Sequence, residues 1–332
     1  MNTKRLFLSL IAIMATAMVT YAQVDRVATL THGGTTTAYY GVNALQQAHE
    51  AAVDGDYITL SMGTFNITAI TKNVTIIGSG MQDIPEQNVY KTNLYSGSSN
   101  RISIGISEST SNVLRIENVE FSSGMTLAAD LNNASFVKCS FPASDRGISE
   151  NNGLCKNVTF LQCRFTDCTN YKAGSIASFI NCYVGMYGDI ATGASLAFSN
   201  CTIGCGYYER IHSSTFLNCV LWIITGGSLD ISNTIINCLG VNRSRSNSVW
   251  SYASSSVYRS YFEPFKDDTY YELTDDAKAL ITSTDGTEIG MFGGQFPYNP
   301  VPDGVRITKF TVDSKSSADN KLNVEVEVTN GK

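Results

Sequence analysis

Between residues 160 and 222 the chain gathers the side chains best suited to acid–base or sugar chemistry. Asp167, Asp189 and Glu209 supply carboxylates, Arg210 a cation, His212 an imidazole, and Tyr183, Tyr187, Tyr207, Tyr208 and Trp222 aromatic faces. Two carboxylates held roughly 5–9.5 Å apart can hydrolyse a glycosidic bond, and a histidine can move a proton near neutral pH. Aromatic faces beside a few hydrogen-bonding groups suit a sugar chain, which offers apolar C–H faces and many hydroxyls. Asp189, Glu209 and His212 are therefore the catalytic candidates, and Tyr183, Tyr187, Tyr207, Tyr208, Arg210 and Trp222 the glycan-binding ones. Metal chemistry is disfavoured. Calcium needs several converging oxygens, and the acids across 130–250 are spread thinly: Asp130, Asp145, Glu150, Asp167, Asp189, Glu209 and Asp230. Zinc fares no better, because Cys163 with Cys168, and Cys201 with Cys205, lack a nearby histidine or a CxxC partner.

A repeat could bring these groups together. F-L-Q-C-R-F at 160–165 returns as F-I-N-C-Y-V at 179–184, F-S-N-C-T-I at 198–203 and F-L-N-C-V-L at 216–221. With the cysteine as position zero, the occupants read Val119, Cys139, Cys163, Cys182, Cys201, Cys219, Thr234 and Ser260, spaced by 20, 24, 19, 19, 18, 15 and 26 residues. An aromatic or aliphatic residue sits three places before and an apolar one two places after. Asn118, Lys138, Gln162, Asn181, Asn200, Asn218, Asn233 and Arg259 occupy the place just before zero. Asn73, Val74 and Ile76 read as an earlier copy.

A period near 20 residues with variable gaps describes stacked coils. The runs are short, β-branched or aromatic, and separated by Gly, Ser and Asn, which describes strands. Positions −3 and zero would face opposite sides of one strand, yet both are apolar or small. Asparagine at −1 resolves this, since it tolerates the left-handed conformation that turns a strand into the next. The expected fold is all-β, a parallel β-helix whose cysteines Cys139, Cys163, Cys182, Cys201 and Cys219 form an inward column of small soft hydrophobes. Nine cysteines, an odd number, argue against a complete disulfide framework, so reduced thiols are preferred. Cys155, Cys168, Cys205 and Cys238 are placed off the column.

G-V-N-A-L-Q-Q-A-H-E-A-A-V-D-G-D at 41–56 reads as a short amphipathic helix. Asn43 is its N-cap with Gln46 in capping-box position, Val42, Leu45, Ala48 and Ala52 share a face, and His49 is expected at the surface. This helix leads to Gly55, Asp56, Ile58, Leu60, Gly63 and Phe65, then to Val74, Thr75, Ile76 and Gly78. The succession looks like the entry to the pectin-lyase-like family of right-handed parallel β-helices, and the likeness spans residues 40–295. It implies a right-handed solenoid with an N-terminal capping helix, and a fold that hosts lyases, hydrolases, adhesins and inert surface proteins alike. The N-T-D, D-D, G-H-G and R-I-K motifs of its polygalacturonase-like hydrolases are not present in order: S-N-T-I-I at 232–236 lacks the acid, and R-I-H at 210–212 is not G-H-G. No cofactor is implied, with calcium entering only for the enzyme alternative.

Lys4 and Arg5 precede an apolar run from Leu6 to Val19, and Thr20-Tyr21-Ala22 follows, so residues 1–22 read as a signal peptide. The remaining boundaries are 23–54 for the N-terminal segment and helix, 55–295 for the β-helix, 296–303 for a linker carrying Pro297, Pro300 and Pro302, and 304–332 for a β-hairpin. The hairpin is expected to dock on the last coils or to pair with a partner. A net charge of −6 without a basic run disfavours nucleic acid. The expected function is that of an exported protein, extracellular, periplasmic or on the cell surface, non-catalytic and binding a glycan or another surface partner along its lateral face. A polysaccharide lyase or glycoside hydrolase, and a structural spacer or adhesin stalk, stay open.

Overall fold

The computed structural model describes residues 26–97, 100–106, 112–142, 147–168, 171–186, 190–205, 210–223, 228–229, 232–240, 272–312 and 324–331. The signal segment lies outside them.

Asn118, Lys138, Gln162, Asn181, Asn200, Asn218 and Asn237 all adopt the left-handed conformation, with φ between 50° and 57°. Each turns the chain between two strands, so the residue three places before zero and the residue at zero both point inward. Repetition of this corner builds three parallel sheets, and the chain is an all-β solenoid of about 7 turns, a parallel β-helix with repeats and few helices. The first sheet runs in coil order from β3 (Tyr57–Leu60) through Thr75–Ile77, Arg115–Glu117, Ser135–Val137, Cys155–Leu161, Ile176–Ile180, Ser195–Ser199 and Thr215–Leu217 to Thr234–Ile236. The second runs from Gly63–Asn66 to Val220–Ile223, and the third from Ala69–Ile70 to Ile148–Ser149. Two antiparallel strands, β1 (Val27–His32) and β2 (Thr35–Tyr40), extend the first sheet beyond β3.

The core follows from the repeat. Phe136, Phe160, Phe179, Phe198 and Phe216 stack coil on coil at 4.8–5.2 Å. Phe121, Phe141 and Phe165 form a second stack at 4.5 and 4.9 Å, meeting the first edge to face. Each ring is fully buried and contributes roughly 1.5–3 kcal/mol by leaving water. Beside them stands the thiol column, free and buried. Its sulfurs donate to carbonyls of the preceding coil: Cys163 Sγ to Phe136 O, Cys182 Sγ to Phe160 O and Cys201 Sγ to Phe179 O, each at 3.3 Å.

Two register expectations are corrected. Ile235 pairs with Phe216, and Cys238 Sγ donates to Phe216 O at 3.6 Å, so position zero of that coil is Cys238. Thr234 instead lies on the outer face. Asn233 is buried elsewhere, its Nδ2 donating to Ile211 O at 2.6 Å, and Asn237 makes the corner. Ser260 lies outside the described residues. Likewise Ile76 pairs with Ile58 and Ile116, which places it at position −3 rather than +2. The apolar-plus-asparagine texture matches in both alternatives; strand pairing chooses between them.

Helix α1 (Ala44–Ala51) packs on β1, β2, β3 and Gly63–Asn66, burying Ala44, Leu45, Ala48 and His49. His49 is thus not a surface residue: its Nε2 accepts from Thr71 N at 3.2 Å. Burial above all, then the Lys72 ammonium, lowers its pKa to about 4 against a contrary pull from Glu50. Lys72 Nζ donates to the carbonyls of His49, Glu50 and Ala52, each at 2.7 Å, which satisfies the last turn of the helix. Asn43 makes no side-chain cap bond; its Oδ1 accepts from Asn66 Nδ2 at 3.0 Å.

Residues 281–303, which take in the expected linker at 296–303, form a strap. After helix α2 (Asp275–Leu280), residues 281–303 run back along the outside of the solenoid, held by the corner column. Asn237 Nδ2 donates to Thr282 O at 2.8 Å, and Asn218 Nδ2 to Thr284 Oγ1 at 2.9 Å. Asn181 Nδ2 donates to Met291 O and Gly293 O, and Gln162 Nε2 to Phe296 O and Pro297 O. The buried Lys138 ammonium donates to Val301 O at 2.7 Å and Asp303 Oδ1 at 2.6 Å. Gly290 is needed for this approach: its φ is 84°, and a Cβ there would stand 2.8 Å from Val220 Cγ2. The tail strands Gly304–Val312 and Val324–Gly331 pair antiparallel. They start beside Lys138, far from the last coils, and leave Val326 and Val328 exposed.

Candidate functional site

The strap decides which lateral face is free. On the second sheet the residue just after position zero points outward, and there the chain covers itself. Val220 is buried with Leu239, Leu273, Ala277 and Ile289. Thr202 Oγ1 accepts from Met291 N at 3.3 Å. Tyr183, expected on an open sugar-binding face, is half-buried against the cluster of Met81, Met291 and Tyr298. Asp167 is buried as well. Trp222 belongs to Val220–Ile223 and pairs with Gly204; Arg210 pairs with Ser228. His212 is half-buried, beside the end of Arg210–Ile211. Tyr187, Asp189, Tyr207, Tyr208 and Glu209 lie outside the described residues, and with them the carboxylate pair a glycosidase would need.

The buried polar groups that sequence reading passes over are structural. Glu150 accepts from Cys155 N at 2.8 Å, Lys172 N at 2.7 Å and Ser175 Oγ at 2.6 Å, which ties its own loop to that of the next coil. Such a carboxylate is held by its donors and has no opening to a substrate at 2% exposure. Asp56, part of the entry motif, accepts from Val53 N and faces His32 Nδ1 at 2.8 Å, fixing the turn between α1 and β3. Burial pushes the Cys163 and Cys182 thiols well above their ordinary pKa, so they are poor nucleophiles. Among the described residues, no group of three or more His, Cys, Asp or Glu could hold a metal ion, and no helix is long and apolar enough to cross a membrane.

The outer face of the first sheet is different: among the described residues, the strap's hydrogen bonds go to the corner column and not to this face. Two long outward columns cross it, beside a shorter one of Lys156, Ile176 and Ser195. One carries Ser135, Thr159, Ser178, Ala197, Thr215 and Thr234, each Cα paired with the next. The other carries Leu161, Ile180, Ser199, Leu217 and Ile236, paired in the same way. Ala197, Thr215, Thr234 and Ile236 are exposed and the others half-buried. From Tyr57 to Ile236 the charged members of the two long columns, among the described residues, are Arg115 and Glu117, which pair with each other. The face is therefore a ribbon mostly of hydroxyls, interrupted at Ala197, beside one mostly of aliphatic groups, interrupted at Ser199, repeated at about 4.8 Å per coil.

No protein-family model, curated protein or solved structure matches this chain. The likeness of the entry coils to the pectin-lyase-like family rests on their residues alone.

Proposed function

We propose that this chain is an exported, non-catalytic binding protein, built on a right-handed parallel β-helix of the pectin-lyase-like kind and closed at its N-terminal end by α1, β1 and β2. It holds an extended glycan along the outer face of the first sheet. The observation that carries this reading is the pair of columns, one mostly hydroxyl and one mostly aliphatic, that run uncharged over successive coils from Ser135 and Leu161 to Thr234 and Ile236. A hydroxyl both donates and accepts, as each sugar hydroxyl does, and the aliphatic column suits sugar C–H faces. A partner that repeats along its length meets the same chemistry at every coil, so weak contacts add up.

The test is retention on insoluble polysaccharides and on a glycan array, with product analysis of each incubation. Thr159→Arg combined with Ala197→Arg places two long cations on the ribbon and is expected to reduce retention at least tenfold while leaving the thermal midpoint within a few degrees. Unchanged retention would remove the face from the reading. Release of reducing ends or unsaturated sugars would replace it with the hydrolase or lyase alternative.

A further inference from the structure

A concavity of about 630 Å³ opens at the N-terminal end of the solenoid, between the outward side of α1 and the coil edges at Asn66–Thr68 and Tyr95–Gly97. It lies within the ordinary size range of small-ligand sites, and seven of its ten lining residues carry a carboxamide or a hydroxyl, beside Ile67, Gly97 and Glu50. Gln46 is locked in place: its Nε2 donates to Glu50 Oε1 at 2.8 Å and its Oε1 accepts from Thr68 N at 3.4 Å. Asn43 and Asn66 are bonded to each other through one end of each amide. That bond leaves the Asn43 NH₂ and the Asn66 carbonyl oxygen without a partner among the described residues. Gln47 is exposed and Tyr95 half-buried, and both line the cleft.

We propose that this cleft binds a short neutral saccharide, such as the end of a glycan chain. The proposal shares the carbohydrate reading given above but does not depend on the lateral face. Four chemical facts select the ligand class. Fixed amide donors and acceptors match vicinal hydroxyls, which need both. A half-buried tyrosine offers a ring for sugar C–H groups. The lining has one charged side chain, Glu50, and no cation, because Lys72 is committed to the carbonyls that end α1; uronates and phosphates are thus repelled. A single carboxylate also lacks the partner that glycosidic hydrolysis requires, so the cleft binds without cutting.

The experiment is saturation-transfer NMR on the full chain with maltotriose, cellotriose, mannotriose and diacetylchitobiose, and trigalacturonate as the charged control. At least one neutral sugar should receive saturation and titrate with a millimolar or tighter Kd, and trigalacturonate should bind at least tenfold more weakly. Tyr95→Ala and Asn66→Ala should each weaken that binding at least fivefold, with unchanged far-UV circular dichroism as the folding control. Should either variant fail to fold, Gln47→Ala, an exposed position, reads the same effect at threefold or more. Absence of saturation with every neutral sugar, equal binding of trigalacturonate, or unaltered binding by all the variants would overturn the proposal. The Thr159→Arg, Ala197→Arg protein separates the two readings: it should lose polysaccharide retention and keep cleft binding. Loss of the trisaccharide signal alone sinks the cleft, and loss of polymer retention alone leaves it standing.

Discussion

At the scale of single residues the solenoid depends on two columns that do opposite things. The thiols face inward and the left-handed corner residues face outward. Cys182 sits with its sulfur 3.3 Å from Phe160 O and Ile180 O, in a space that admits little else. Cys182→Ser keeps a donor and is expected to cost about 1–2 kcal/mol through lost apolar contact. Cys182→Arg buries an unpaired charge and should prevent folding. A urea curve for the Arg variant that overlays wild type would show that the column is not inward. Ellman's reagent is expected to leave the eight described thiols untouched until denaturant is added. His49 makes a pH prediction. Its folded pKa of about 4 lies below the ordinary 6.5. Its contribution is therefore complete above pH 6.5 and declines as pH falls toward 4, where the unfolded chain takes a proton that the folded chain refuses. The loss is of order 2 kcal/mol, less than the full shift would give because α1 lies near solvent. His49→Gln should flatten stability across that window, measured by urea midpoints at half-unit steps of pH.

At the scale of elements the strap makes the solenoid more than a stack. Neighbouring coils of a repeat protein support only each other, whereas residues 281–303 tie the coil of Asn237 to that of Lys138. Asn181 separates the two roles of the corner column. Asn181→Gly keeps the left-handed turn but removes both bonds to Met291 O and Gly293 O, a loss of about 1–2 kcal/mol. Asn181→Ala adds roughly 1 kcal/mol of backbone strain. Chemical denaturation and limited trypsin digestion of both variants check this; a glycine variant as stable and as protease-resistant as wild type would show that the column does not hold the strap. Helix α1 depends similarly on one distant residue. Lys72→Met strips three carbonyls of their donor and should cost about 1–3 kcal/mol, read from the thermal midpoint.

For the molecule as a whole, the strap covers one side of the cylinder, and the side left open among the described residues carries the ribbon proposed to hold a glycan. The sequence alone determined the coil. Phenylalanine, asparagine and cysteine at fixed offsets are local requirements: a left-handed corner needs asparagine or something near it, and a residue on either side of that corner must be apolar. These preferences act within a few residues, so Phe160, Asn181 and Cys201 are legible one coil at a time. Three things were decided only by tertiary structure. Register at Ile76 and Cys238 came from which strand lies alongside, because an apolar residue at position +2 looks the same as one at position −3. The place of the His49 ring came from Thr71 and the capping of α1 from Lys72, both some twenty residues away. The course of residues 281–303 came from side chains far upstream in sequence, Lys138 among them, since a run of Pro, Gly and polar residues has no periodicity to announce what it lies against. Hydrogen bonds between distant coils have no signature in the spacing of either partner, and they settled which face this protein shows to its surroundings.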